Sequence, residues 1–127
     1  MGLVLFPGDG NNDSPDVCWS YTRFADFRER LARTEGIDPS TMHGFGGDPP
    51  WSTAATTLAP LLGHPETGGP NLTPDQCAAM LPRLEEIILQ WQEDDRDPLA
   101  DQHLDDARRL RVVLYFCADR QVDLLFV

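Results

Sequence analysis

Residues 73–93 read TPDQCAAMLPRLEEIILQWQE, and their spacing predicts the strongest helix of the chain. Thr73 is placed to cap it, with Pro74 at the first helical position and Gln76 completing a capping box. Leu72 and Cys77 stand where a hydrophobic staple would fix the entry of the chain. Cys77, Met80, Leu81, Leu84, Ile87, Ile88 and Trp91 then recur at helical spacing for about four turns and define one buried face. Pro82 runs against the pattern: an interior proline removes a backbone donor, and a kink is expected there.

A helix with one apolar face needs partners, and the flanking sequence supplies them. Asp97 and Pro98 begin a last long helix to about Cys117, with Ala100, Leu104, Ala107, Leu110, Leu114 and Cys117 on its apolar side. Upstream, Tyr21, Phe24, Phe27 and Leu31 mark a helix over residues 17–34, which Gly36 stops. A short helix is expected over residues 52–62, weakened at its end by Pro60. Residues 2–6 and 122–127 are apolar and β-prone, and they are expected to pair with each other. The fold class is therefore α+β, mainly α: about four helices with a two-stranded antiparallel sheet made by the N- and C-terminal segments. Residues 1–127 form a single domain, a length that buries roughly two-thirds of the unfolded surface without disulfides or metal. Eleven prolines and ten glycines place substantial loop at residues 7–16, 36–50 and 63–74.

The net charge is −11, which excludes direct binding to a nucleic-acid backbone and favours fast association with a cationic partner. All ten basic residues are arginine, a composition that fits a GC-rich bacterial genome. Cys18, Cys77 and Cys117 cannot all pair internally and show no C-x-x-C spacing, so reduced, buried thiols are expected. No basic region precedes the apolar run at residues 3–6, and no apolar run approaches the ~20 residues of a membrane helix. A cytoplasmic protein is expected, with no membrane association.

Residues 85–106 concentrate the acid. Glu85, Glu86, Glu93, Asp94, Asp95, Asp97, Asp101, Asp105 and Asp106 all fall here, against the single base Arg96. Glu85 and Glu86 belong to the polar face of a regular helix, and Asp97 suits a helix start. That leaves Glu93, Asp94, Asp95, Asp101, Asp105 and Asp106 gathered around one turn as a candidate partner-binding corner. The opposing explanation is a solvated outer face, which is what charged runs usually are.

Other constellations are weaker. Residues 9–13, DGNND, open like a calcium loop, but Ser14 replaces the required glycine and Ser20 the bidentate glutamate. His43, His64 and His103 share no metal-ligand spacing with one another or with the cysteines, so no metal and no cofactor are expected. GFGG at residues 44–47 lacks the lysine and hydroxyl of a phosphate loop, and no nucleophile signature appears, so no catalytic residue is proposed. Trp19, Tyr21, Arg28, His43 and Trp51 mark the alternative, a pocket serving a small ligand-binding or enzymatic domain.

The W-S-Y-x-x-F-x-x-F-R run at residues 19–28 and the G-F-G-G-D turn at residues 44–48 resemble small uncharacterised proteins of actinomycetes. The resemblance covers about residues 17–92 and implies a shared fold, with no activity attached. The function read from the residues is a small acidic binding protein that recognises a basic protein partner. Its most concrete form is an immunity or inhibitor protein against a toxin or nuclease.

Overall fold

The capping box at Thr73 forms as its sequence demands. Gln76 N donates to Thr73 Oγ1 at 3.2 Å, and Thr73 N donates back to Gln76 Oε1 at 2.9 Å. In the computed structural model, which describes residues 2–10, 13–37, 56–64, 71–93 and 100–126, the helix that follows is Pro74–Glu93. In chain order the elements are β1 (Gly2–Pro7), β2 (Val17–Ser20), α1 (Tyr21–Thr34), α2 (Ala59–Leu62), α3 (Pro74–Glu93), α4 (Ala100–Arg120) and β3 (Leu124–Phe126).

α3 buries Cys77, Met80, Leu84, Ile87, Ile88 and Trp91, six of the seven positions the periodicity picks out, with Leu81 half-buried at the edge. α4 answers with Ala107, Leu110, Val113, Leu114 and Cys117. Trp91 near the end of α3 meets His103 near the start of α4 at 6.1 Å between ring centroids, while at the other end Leu72, just before α3, bridges Leu124, just after α4. The two helices therefore run antiparallel as a hairpin. α3 continues through Pro82, which stands exposed on the solvent side. The missing amide leaves the Ala78 carbonyl without its helical donor, so Pro82→Ala is expected to raise stability by about 1–2 kcal/mol. Urea unfolding reads this directly, and a lower midpoint for the variant would contradict it.

The sheet has three strands, not two. The order is β2-β1-β3, antiparallel throughout, with Leu3 opposite Trp19 and Leu5 opposite both Val17 and Phe126. The terminal segments pair as expected. The third strand comes from residues 17–20, which the aromatic periodicity had drawn into the first helix. Val17 and Trp19 alternate with exposed Cys18 and Ser20, so this stretch follows the period of a half-buried strand. Ser20 is extended (φ −66°, ψ 157°), and its hydroxyl accepts from Arg23 N at 3.1 Å, making it the cap of α1. α1 ends where Gly36 adopts φ +76° and Ile37 N reaches back to Ala32 O.

Two other boundaries differ from expectation. The described part of the short helix is Ala59–Leu62, preceded by a turn at residues 56–58, and residues 52–55 lie outside the described residues. Pro60 consequently sits in the first turn of α2, where its absent N–H costs nothing. α4 extends to Arg120 and closes with Gln121 at φ 56° and Val122 N bonded to Cys117 O. An isolated bridge between Leu72 and Leu124 ties the start of α3 to the outer edge of β3.

Candidate functional site

The acidic corner lies where α3 ends and α4 begins, and of its four described carboxylates three are exposed and one is buried. Glu93 on the last turn of α3 and Asp101 on the first turn of α4 are exposed. Asp105 is exposed too, with Arg109 Nε at 3.0 Å and Arg23 Nη2 at 3.8 Å. Asp106 is not on this surface. Its side chain is 1% exposed and is clamped by Arg23 of α1, Nε at 3.0 Å and Nη2 at 2.6 Å. The hydrogen bond to Asp106 in turn holds the Arg23 guanidinium above its ordinary pKa. Asp106 is thus a tie between α1 and α4, because the buried stripe of α4 includes positions 103 and 106 beside the apolar positions 107, 110, 114 and 117. Asp94, Asp95 and Asp97 lie outside the described residues.

Leu89 is the residue that sequence reasoning missed. It is 63% exposed, although it stands in the run Ile87-Ile88-Leu89. On α3 it follows Glu85 by four residues and Glu86 by three, and precedes Glu93 by four, so an apolar side chain sits amid exposed carboxylates on one helix face. Its phase against Leu84 and Ile88 was the available signal. Val112 and Tyr115 are the corresponding exposed apolar residues of α4.

Behind the corner the structure is packed. Arg30 lies 4.3 Å over the Trp91 ring, and its Nη1 is 3.3 Å from His103 Nδ1. Glu35, just past α1, accepts from Thr56 and from Arg83 Nε at 2.5 Å, while Arg83 also reaches Glu86 at 3.1 Å. A polar cleft of about 420 Å³ opens here between Thr34, Glu35, Thr56, Thr57 and Arg83.

The alternative pocket loses its described half to the core. Trp19 is 3% exposed and stacks on Phe24 at 5.2 Å and Phe27 at 5.3 Å. Arg28 is buried over the Phe24 ring and donates to the His64 carbonyl at 2.6 Å. Tyr21 packs partly buried against the same cluster. His43, Trp51 and the GFGG turn lie outside the described residues. The acidic loop at residues 9–13 is described in part: Asp9 accepts from Ser14 Oγ at 2.6 Å. Among the described residues no group of three or more His, Cys, Asp or Glu is placed to hold a metal ion. His64 is buried with its ring stacked on Phe126 at 3.6 Å.

No family model, curated protein or solved structure matches the chain. Function must therefore be argued from these side chains. Among the described residues no helix is long and apolar enough to cross a membrane.

The thiols divide in a way the composition did not show. Cys77 and Cys117 are buried, whereas Cys18 projects from the outer strand β2 into solvent. One thiol per chain is expected to react promptly with a water-soluble disulfide reagent, and three after denaturation. Prompt reaction persisting in Cys18→Ser would contradict this assignment.

Proposed function

We propose that the chain is a small acidic binding protein whose α3–α4 corner docks on a basic protein surface, acting as an immunity or inhibitor protein in the cytoplasm. The observation that carries the reading is the exposed Leu89, flanked on its helix face by Glu85, Glu86 and Glu93, with Asp101 and Asp105 exposed on α4. An apolar centre with a charged rim is the anatomy of a protein interface: the carboxylates steer encounter with arginine- or lysine-rich clefts and Leu89 supplies buried contact. Like charges this dense raise the energy of the free protein, and a cationic partner relieves that repulsion.

The experiment is a pull-down from lysate with the protein and with a Glu93→Gln/Asp101→Asn/Asp105→Asn bait, at low salt and at about 0.5 M salt, followed by titration of the captured protein. The partner is expected to be basic, to be released at high salt, and to bind the triple variant at least ~10-fold more weakly. A partner indifferent to both salt and the three substitutions refutes the proposal.

A further inference from the structure

Among the described residues three large apolar side chains are exposed, and all three stand on the helix hairpin. They are Leu89 on α3 and Val112 and Tyr115 on α4, each more than half exposed. Their charged neighbours have opposite signs. Leu89 shares its helix face with Glu85, Glu86 and Glu93, whereas Val112 and Tyr115 share theirs with Arg108 and Arg111. Arg23 and Arg109 are set beside carboxylates of α4. Arg108 and Arg111, in contrast, have no carboxylate partner among the described residues, although the chain holds 21 acidic residues, and neither Glu85 nor Glu93 has a basic one. Within one chain the two patches cannot cover each other. Trp91 and His103 mark one end of the hairpin. Leu89 stands about half a turn from Trp91, at that end, while Val112 and Tyr115 lie more than two turns beyond His103 along α4.

We propose that these two patches are the halves of one interface, and that its occupant is a second copy of this chain. Leu89 of one copy buries against Val112 and Tyr115 of the other, while Glu85 and Glu93 face the other copy's Arg108 and Arg111. A two-fold axis repeats the contact, so each copy contributes one acidic and one basic helix face and all four patches are matched at once. A foreign surface of either sign suits one patch and is repelled by the other. The apolar centre with a charged rim is the build of a protein interface, and tyrosine there covers a large area while its hydroxyl stays wet. The net charge of −11 sets two copies against each other at a distance. At about 0.15 M salt that repulsion is largely screened beyond about 8 Å, whereas opposite charges in contact keep more of their attraction. Leu89 and Glu93 also belong to the corner proposed to dock a basic protein, so the second copy and that protein are alternative occupants of one face. The dimer itself does not rest on that docking.

The test is sedimentation equilibrium of the purified chain alone, with no basic protein present, from about 10 μM to about 1 mM at about 0.15 M salt. The mass is expected to rise from that of one chain and to level off at two. Arg108→Glu/Arg111→Glu and Glu85→Arg/Glu93→Arg are charge reversals at accessible helix positions by good helix formers, so both variants should fold. Each alone sets like charges face to face and should associate at least ~10-fold more weakly than the parent. An equimolar mixture of the two restores opposite charges at both contacts and should recover the two-chain mass. Tyr115→Ser should weaken association of the parent without altering its charge. A parent that stays at one chain throughout, or grows past two without levelling, overturns the proposal. So does a mixture no more associated than the separate variants, or a Tyr115→Ser chain that dimerises as the parent does.

Discussion

Phe27→Ala is expected to lower folding stability by about 3–5 kcal/mol and Tm by on the order of 15 °C. Phe27 has no solvent exposure, and its ring is met from three other elements. Trp19 of β2 stacks on it at 5.3 Å, Trp91 of α3 meets it edge-on at 6.0 Å, and His103 of α4 lies at 6.4 Å. Truncation to alanine removes the transfer energy of the ring and leaves a cavity that large, mutually packed side chains cannot collapse into. It also forfeits the aromatic pair terms, about 0.5–1.5 kcal/mol each beyond area. Since native domains hold only about 5–15 kcal/mol in total, the variant approaches the unfolding threshold. Phe27→Leu, which refills most of the space, should cost about half as much. Urea unfolding of both variants decides the matter, and a loss below about 1 kcal/mol for Phe27→Ala would show that α1 does not hold the three elements together.

Phe27 also shows what the sequence makes legible and where it stops. Its spacing with Phe24 and Leu31 reveals a helix, and the box at Thr73 and Gln76 fixes the start of α3 because both signals are local. β2 is harder to see: Trp19 alternates with its strand neighbours yet also extends an aromatic series, and a few residues cannot separate the two periods. Ser20 held the deciding clue, since a serine ahead of an aromatic-periodic run is a helix cap. Pairing between Val17 and Leu5 is non-local and leaves no local mark. The acidic corner divides in the same way. The exposure of Glu93 and Asp101 follows from helix phase, but the burial of Asp106 depends on an arginine 83 positions away.

That distant arginine carries the second large effect. Arg23→Met is expected to cost about 3 kcal/mol, because it strands a carboxylate that is 1% exposed without its two charge-assisted hydrogen bonds. Asp106→Asn should cost less, about 1 kcal/mol: Arg23 is 37% exposed, can turn toward water, and still has Asp105 at 3.8 Å. The asymmetry follows from burial, since the penalty falls on whichever charge cannot reach solvent. The Arg23→Met/Asp106→Asn double variant should therefore recover part of the single Arg23→Met loss, with a coupling measurable in a double-mutant cycle. If the proposed docking on a basic partner holds, that binding should be unchanged by Asp106→Asn at temperatures where the variant is folded, and weakened by Asp101→Asn, whose carboxylate faces water. If Asp106→Asn instead weakens binding without loss of stability, the Arg23 clamp is open in solution and Asp106 returns to the proposed docking surface.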